Sequence, residues 1–346
     1  MAPIVLEIER RKLDFRLIHT GQHHDYKMSK RFIEQLELPK PSASFELRAT
    51  RPASQIGEMM TKLERALRAD SCEMLLIQGD TNSMLAAALT GAKLGIKIAH
   101  VEAGLRSYDW RMPEEHNRRM VDHVSDILFA PTHLSSQNLL SELVHGEIFV
   151  TGNTAMDAII RYMPLARKES RILSQIRFPE FALATLHRAE NVDDPSVLKS
   201  CARAFMRSPI PVVFPAHPRT AKRISEFGIK RKFESADNIQ LLGPQGYFDF
   251  IMLMKKCSMI LTDSGGIQEE ATSPLIRKPV LVLRRSTERP EAIERGFSRL
   301  VGLGWEGILA AIRQLLDDPP RLAQSSPYGD GMASKRIVRI VKRELS

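Results

Sequence analysis

The sequence has few aromatic residues, few cysteines and no long apolar run. Phe, Trp and Tyr make up only 6% of the chain, and no Lys/Arg run is interleaved with them, which argues against a nucleic-acid stacking surface. The cysteines Cys72, Cys201 and Cys257 form neither a CxxC pair nor a disulfide framework. The longest mostly apolar run, at 84–92, is far shorter than the ~20 residues that span a bilayer. These absences favour a cytoplasmic protein that binds no nucleic acid and no membrane.

Several common catalytic motifs are also absent. The chain contains no Walker A, HExxH, GxSxG or GxGxxG pattern, which argues against the corresponding nucleotide, zinc and serine-hydrolase sites. His23, His24 and Asp25 are adjacent in sequence, and three successive side chains on a helix or strand cannot converge on one ion. We therefore interpret this cluster as polar loop surface or a ligand contact and predict no metal there.

What the chain does contain is a basic excess and enough length for two domains. Its 346 residues carry 50 Lys and Arg against 41 Asp and Glu, a net charge of +9. With 43% hydrophobic residues the composition is that of a globular protein. The positive charge suits an anionic ligand, and a nucleotide or phosphorylated small molecule is the interpretation we prefer.

Short apolar runs alternate with helix-period segments along most of the chain. This pattern predicts an α/β protein with parallel sheets whose strands are buried on both faces. The predicted strands are 15–19, 74–78, 96–101, 127–130, 148–151, 182–186, 212–215, 239–242, 259–262 and 280–283. The predicted helices between them include 56–68, 82–94, 114–122, 135–143 and 197–206.

A basic stretch with two prolines, 161–179, interrupts this alternation. We predict an N-terminal Rossmann-like domain at 1–162 and a second one at 178–325. The apolar spacing of 333–346 predicts a C-terminal helix that packs back onto the first domain.

The chain opens directly on a predicted amphipathic helix, residues 1–11. In a doubly wound domain the first strand lies in the middle of the sheet and precedes such a helix. No strand precedes it here. Its absence would leave two neighbouring strands with unpaired backbone groups. We expect either a start downstream of the true one or another segment in that position.

Three carboxylates follow predicted strands of the first domain. Asp80 ends one strand, Glu102 ends the next, and Glu114 begins a helix after Pro113. Asp80 alone could be a helix N-cap, and Glu102 could pair with Arg106. Helix-dipole complementarity could explain Glu114. Because all three fall at one rim of a sheet, we favour a functional site in which they divide acid and base roles.

The second domain offers histidines and a glycine-rich turn at its strand ends. His187 and His217 each follow a strand, although a hydrogen-bonded structural role for His187 is equally consistent with its position. The segment TDSGGIQEE at 262–270 joins a strand to a helix through two glycines, which favours an anion site made by backbone N–H groups. Glu270, one turn into that helix, is placed to accept from ribose hydroxyls.

These motifs together resemble a known family. The set resembles the non-hydrolysing UDP-N-acetylglucosamine 2-epimerases, most closely archaeal members, over essentially the whole chain. Members usually begin with a strand and a GTRPEAIK loop, which this chain lacks. The motifs are QGDT at 78–81, HVEAGLR at 100–106, PEEHNR at 113–118, TGNT at 151–154, HRAEN at 187–191, TDSGGIQEE at 262–270, TERPE at 287–291 and PYGDG at 327–331.

The resemblance implies a fold and a role for each matching residue. The fold would be two Rossmann-like domains facing across a cleft, as in the B-type glycosyltransferases (GT-B-like). Asp80, Glu102 and Glu114 match the acid/base carboxylates, and His187 matches the catalytic histidine. Phe250 matches a position along the uracil. The positions that match UDP-binding residues are His217, Ser264, Gly265, Gly266 and Glu270. Gln22 and His23 match a region where some members bind a second UDP-GlcNAc as activator.

The implied reaction interconverts UDP-GlcNAc and UDP-ManNAc by anti elimination of UDP and its re-addition to 2-acetamidoglucal. It implies a homodimer, and neither metal nor nicotinamide. A hydrolysing epimerase that releases ManNAc and UDP, a glycosyltransferase, and an inactive nucleotide-sugar-binding relic remain alternatives.

Overall fold

A computed structural model describes residues 1–21, 33–69 and 71–345. The chain divides into two compact units. The first unit comprises Met1–Ala158 and Tyr328–Ser346, and the second comprises Ile159–Pro327. Both are built from parallel strands and helices, so the predicted α/β class is confirmed. None of the described helices is long and apolar enough to cross a bilayer.

The strands are short and mostly match the predicted apolar runs. They are β1 (Ile18–His19), β2 (Ala43–Ser44), β3 (Met74–Gln78), β4 (Lys97–Val101), β5 (Ile127–Ala130), β6 (Glu147–Val150), β7 (Ala182–Thr185), β8 (Val212–Pro215), β9 (Ile239–Leu242), β10 (Met259–Thr262), β11 (Val280–Val282) and β12 (Ser298–Leu300). The first predicted strand, 15–19, was too long. The two-residue β2 and three-residue β12 were not predicted, because such short strands show no periodicity.

The described helices follow most strands. They are α1 (Ala2–Arg10), α2 (Pro52–Arg68), α3 (Asn82–Leu94), α4 (Pro113–Val124), α5 (His133–Ser141), α6 (Thr154–Glu169), α7 (Ala189–Val192), α8 (Pro195–Met206), α9 (Pro218–Glu226), α10 (Lys230–Glu234), α11 (Tyr247–Lys256), α12 (Gly265–Ala271), α13 (Pro290–Glu294), α14 (Trp305–Asp317) and α15 (Ala333–Glu344). Two of them, α2 and α8, begin earlier than predicted because a proline occupies the first helical position, which suits its fixed φ.

The second unit contains one continuous sheet of six parallel strands. Its order is β12-β11-β10-β7-β8-β9, so the first strand of the unit, β7, lies in the middle. This is the doubly wound order. All four residues of β7 are buried. The strand order reverses between β7 and β10, which are parallel neighbours. Their carboxyl ends therefore lie side by side, and polar residues follow both strands.

The described strands of the first unit form two separate sheets. Strands β3-β4-β5-β6 form one sheet, and β1 pairs with β2 in another. By comparison with the second unit, a central strand would lie between β1 and β3, and no strand of the described residues does so. Four of the five β3 residues, all except Ile77, are only partly buried, whereas β5 is buried throughout. The described strands of the first unit therefore do not form one continuous sheet.

Helices α1 and α15 pack together in the first unit. Ile4 and Ile8 of α1 share an apolar cluster with Ile337 and Val338 of α15, and this cluster covers one face of β4 and β5. The amino group of Met1 at the start of α1 donates a hydrogen bond to the side chain of Gln78, at the carboxyl end of β3. Helix α1 thus begins at the rim that carries the predicted carboxylates.

Candidate functional site

Asp80 follows the end of β3 and is held by a buried arginine. Gly79 precedes it with a φ of +87°, a left-handed conformation that favours glycine. One carboxylate oxygen of Asp80, Oδ2, lies 2.5 Å from Nη2 and 3.1 Å from Nε of Arg118. Arg118 lies on α4 with 2% of its side chain exposed, whereas 29% of Asp80 is exposed. The carboxylate is therefore fixed in an ion pair while it stays open to a ligand.

Glu102 lies directly after β4 in a strained backbone conformation. Its φ of +71° is unusual for a residue with a side chain, and such strain is often found at functional sites. Gln78 Nε2 donates to Glu102 Oε1 at 2.5 Å and also lies 3.2 Å from Thr154 Oγ1. Gln78 thus orients the carboxylate at the same sheet edge as Asp80.

Glu114 and its neighbour Glu115 have different surroundings. Glu114 is partly buried in the first turn of α4, where a negative charge complements the helix dipole. Glu115 is fully buried and accepts hydrogen bonds from the Ser107 backbone N–H (2.9 Å) and from Arg118 Nη1 (2.6 Å). Although burial alone would raise it, these contacts hold the pKa of Glu115 below its ordinary value. Glu115 is a structural anchor for Arg118.

The structure excludes two of the simpler interpretations of these carboxylates. The N-cap of α3 is Thr81, so Asp80 does not cap that helix. Arg106 pairs with Asp122 and Glu142 at 2.7 Å each, so the alternative Glu102–Arg106 pair is wrong. Helix capping therefore does not account for Asp80, and a pair with Arg106 does not account for Glu102, which favours a functional role for both.

In the second unit His187 forms a dyad with a buried aspartate. His187 Nδ1 lies 2.9 Å from Asp263 Oδ1, and 37% of the histidine is exposed while Asp263 is fully buried. Asp263 also accepts from the backbone N–H groups of His187 and Arg188 at 3.0–3.2 Å. Although burial alone would raise it, these hydrogen bonds hold the pKa of Asp263 below its ordinary value. The ionised Asp263 therefore fixes the ring and leaves Nε2 outward for proton transfer.

The turn from β10 to α12 exposes backbone donors. Ser264 is the N-cap, and its side chain makes no capping hydrogen bond to the first N–H groups of the helix. A Cβ on Gly265 would lie 2.6 Å from Glu288 Oε1 and 3.3 Å from the Arg289 guanidinium, so only glycine fits there. A Cβ on Gly266 would meet nothing within 4 Å. The open side of this turn can accept an anion.

Glu270, Tyr247 and Phe250 lie beside that turn. The Tyr247 hydroxyl donates to Glu270 Oε1 at 3.1 Å, which joins the first turn of α11 to α12. Burial raises the pKa of Glu270 to about 7, although the hydrogen bond from Tyr247 opposes this shift. Phe250, on the same helix α11 as Tyr247, is partly exposed. A carboxylate and an aromatic side chain next to an anion-binding turn suit a nucleoside diphosphate.

His217 begins α9 as its N-cap. Its Nδ1 accepts from the Arg219 backbone N–H at 3.3 Å, and its ring centroid lies 6.2 Å from that of His187. The structure therefore brings the two predicted histidines of the second unit together.

Two other predictions concern ions and a second ligand. Gln22 and His23, like His24 and Asp25, lie outside the described residues. Within 1–21, 33–69 and 71–345, no group of three His, Cys, Asp or Glu side chains is arranged to hold a metal ion.

Comparison with known proteins identifies the family. A family model described as UDP-N-acetylglucosamine 2-epimerase matches residues 6–342. The chain is 40% identical to the UDP-N-acetylglucosamine 2-epimerase of Methanocaldococcus jannaschii, covering 99% of this chain and 94% of that protein. It belongs to the UDP-N-acetylglucosamine 2-epimerase family. The resemblance inferred from the motifs is thereby confirmed.

Solved structures of the family agree with the fold. The crystal structure of the M. jannaschii UDP-GlcNAc 2-epimerase in complex with UDP-GlcNAc and UDP has a TM-score of 0.92 at 40% identity, covering 99% of this chain and 95% of that one. S. aureus MnaA in complex with UDP has a TM-score of 0.88 at 36% identity, covering 100% and 93%. The predicted GT-B-like fold is that of this epimerase family.

Sequence reasoning missed two residues that the structure places at these sites. Arg118 and Asp263 stand inside the PEEHNR and TDSGG motifs, but neither was assigned a role. Arg118 follows Glu114 by four residues, which places both at one end of α4. Asp263 directly follows a buried strand, the same signal that pointed to Asp80. Their positions in the sequence did not reveal that Arg118 holds Asp80 and that Asp263 holds His187.

Proposed function

We propose that this chain is an isomerase that interconverts UDP-GlcNAc and UDP-ManNAc. The observation that carries the proposal is that residues matching the family motifs are held in fixed positions at the carboxyl ends of strands in both units. Arg118 holds Asp80 in the first unit, and Asp263 holds His187 in the second. These are groups for moving protons, in a chain of this epimerase family. The comparisons give the hydrolysing alternative no support.

The reaction requires proton transfer at C2 of the sugar. A carboxylate base takes the C2 proton, the C–H electrons form the C1=C2 bond, and the C1–O bond breaks to release UDP with its electron pair. UDP then adds back to 2-acetamidoglucal and C2 is reprotonated on the other face. We assign these acid and base roles to Asp80, Glu102 and Glu114, together with His187.

The second unit binds the nucleotide in this proposal. The N–H groups of the turn at Ser264, Gly265 and Gly266 take the diphosphate, where preorganised donors also stabilise UDP as it departs. Glu270 accepts from the ribose hydroxyls, and Phe250 lies along the uracil. His217 completes the set next to His187.

The remaining assignments are part of the same proposal. The chemistry uses no cofactor. A nucleotide sugar as substrate suits a cytoplasmic enzyme. A homodimer and a second UDP-GlcNAc bound as activator near Gln22 and His23 follow the family resemblance. Sedimentation and the dependence of initial rate on UDP-GlcNAc concentration test these two points.

Because one relative is named for another substrate, the functional test needs two substrates. The UDP-2,3-diacetamido-2,3-dideoxy-D-glucuronate 2-epimerase of Pseudomonas aeruginosa is 38% identical, covering 97% of this chain and 93% of that protein. The chain should therefore be incubated separately with UDP-GlcNAc and with that diacetamido sugar nucleotide. We expect UDP-ManNAc from the first. Turnover of the second alone would overturn the substrate assignment.

The products separate the remaining alternatives. Free ManNAc with UDP as the main products would identify a hydrolysing enzyme. Binding of UDP-GlcNAc, measured by calorimetry, without turnover of either substrate would identify a nucleotide-sugar-binding relic.

A further inference from the structure

A continuous series of ion pairs starts at Asp80 and ends at His100, which contacts the backbone of Gly79, the residue before Asp80. Asp80 contacts Arg118, Arg118 contacts Glu115, and Glu115 contacts Arg119, at 2.5, 2.6 and 3.2 Å. The series continues from Arg119 to Glu142, Arg106, Asp122 and His100, each step measuring 2.7 Å. His100 Nε2 then lies 3.0 Å from the carbonyl oxygen of Gly79. We call these eight side chains the charge ring.

The signs alternate around the charge ring only if His100 is positive. It contains four carboxylates and three guanidinium groups, and His100 is the eighth member. The side chains of Glu115, Asp122, Arg106 and His100 are fully buried. With an imidazolium at His100 the charges of the whole ring balance. With a neutral His100 one negative charge remains in excess, and the carboxylates that are not fully buried are Asp80 and Glu142, at 29% and 16% exposure.

The two ring nitrogens of His100 both face acceptors. Nδ1 lies 2.7 Å from Asp122 Oδ1, and Nε2 faces a backbone carbonyl, which has no proton to donate. Asp122 Oδ2 also lies 2.7 Å from Arg106 Nη1 and accepts from the Gly104 backbone N–H at 3.1 Å, so this carboxylate is an acceptor. A neutral imidazole has one N–H and would leave one of these contacts without a proton. A proton on each nitrogen would satisfy both contacts.

Through these contacts His100 and Asp122 connect the turns that carry two predicted catalytic carboxylates. His100 holds the carbonyl of Gly79, the residue before Asp80. Asp122 Oδ2 accepts from the Gly104 backbone N–H at 3.1 Å, two residues after Glu102. Both turns contain left-handed residues, with φ of +87° at Gly79 and +71° at Glu102. Hydrogen bonds from a buried group can stabilise such backbone.

We propose that His100 is held as an imidazolium and acts as a positioning residue that fixes the turns of Asp80 and Glu102. Its role in catalysis rests on the proposed epimerase function. Its charge state does not, since it is inferred from the acceptors that face both ring nitrogens. The groups that face or adjoin His100 are Asp122 of α4, Arg106 after β4, and the Gly79–Asp80 turn after β3.

The charge state is measured directly by NMR of the intact protein labelled with ¹⁵N-histidine. An imidazolium shows two N–H-type nitrogens, whereas a neutral ring shows one nitrogen without hydrogen. The His100 signals are assigned by their loss in His100→Gln. If that variant does not fold, ring-proton contacts to the Gly79–Asp80 segment assign them. We expect two N–H nitrogens at pH 7. A neutral His100 at pH 7 would overturn the proposal.

The positioning role is tested by kinetics of His100→Gln. An uncharged amide cannot give both hydrogen bonds and the charge, so we expect kcat for UDP-GlcNAc to fall ~10-fold or more. KM should change less than ~3-fold, since the nucleotide-binding residues lie in the other unit. The control is His145→Asn, an exposed histidine that is 3.8 Å from Asp126 and should keep wild-type kcat.

The outcomes separate this inference from the proposed function. A folded His100→Gln enzyme with wild-type kcat would show that His100 is structural only. A wild-type protein without epimerase activity whose His100 is an imidazolium would refute the proposed function and leave the assigned charge state intact.

Discussion

The two units place their polar groups at the same ends of parallel strands but hold them in different ways. In the first unit the carboxylates are fixed by side chains: the charged Arg118 holds Asp80, and the amide of Gln78 holds Glu102. In the second unit a backbone turn supplies donors, and one buried aspartate orients one histidine. The first arrangement suits proton transfer, and the second suits an anion that must be bound, released and bound again.

The sheets of the two units also differ in how continuous they are. The second unit has an unbroken six-stranded sheet with β7 at its centre. The described strands of the first unit form two sheets, and β3, which leads to Asp80, is partly exposed. We expect the side-chain contacts of Asp80 and Glu102 to have a larger share in holding the rim of the first unit in place. Four experiments test this comparison, from the largest expected effect to the smallest.

Removal of a proton-transfer group in either unit should have the largest effect. We expect Asp80→Asn and His187→Asn each to lower kcat at least ~100-fold, because the loss of an acid/base group typically costs that much. Turnover of UDP-GlcNAc is the measurement, with the exposed His145→Asn as the matched control. A near-normal rate for either variant would remove that residue from the mechanism.

Asp263→Asn should have the next largest effect. An amide cannot accept from the His187 ring and the two backbone N–H groups in the same way, so we expect kcat to fall roughly 10- to 100-fold through misorientation of His187. In a His187→Asn background the same change should add little. Full additivity of the two losses would show that Asp263 acts independently of His187.

Substitutions of Gly265 and Gly266 test the packing of the turn between β10 and α12 in the absence of ligand. Gly265→Ala places a Cβ 2.6 Å from Glu288 Oε1, and we expect this overpacking to destabilise the second unit by about 1–3 kcal/mol. Gly266→Ala meets open space and should leave the Tm unchanged in the absence of ligand. Thermal unfolding of both variants without UDP is the measurement. Equal Tm values would contradict the packing described for Gly265.

The pH dependence of stability at Glu270 should be the smallest effect. Its pKa in the folded protein is raised to about 7, so the unfolded chain releases this proton first as pH rises from about 4.5 to 7. The free energy of unfolding therefore falls across that window. Because Glu270 is partly exposed, solvent screening reduces the effect to about 1 kcal/mol.

Glu270→Gln removes this loss of stability. The difference in Tm between this variant and the wild type should accordingly be more positive at pH 8 than at pH 5. Glu234→Gln, at a carboxylate that is 57% exposed, is the control. The same difference at both pH values would refute the raised pKa.

The sequence predicted most of the fold because buried parallel strands are continuous apolar runs. It predicted the strand at Met74–Gln78 to the residue. The positions of Asp80, Glu102 and His187 at strand ends were equally visible. The partners were not, because Arg118 and Asp263 reveal their roles only when helix α4 and strand β10 are packed. The pairing of Arg106 with Asp122 rather than Glu102 likewise depends on tertiary contacts.

The central claim is that the chain breaks and re-forms the C2–H bond of the sugar. Incubation of UDP-GlcNAc in D₂O, followed by NMR of the nucleotide sugars, tests it most directly. The account predicts UDP-ManNAc, with deuterium at C2 of both epimers and no accumulation of free ManNAc. Epimerisation without deuterium at C2, or transfer of the sugar to an acceptor with C2 still protonated, would contradict it.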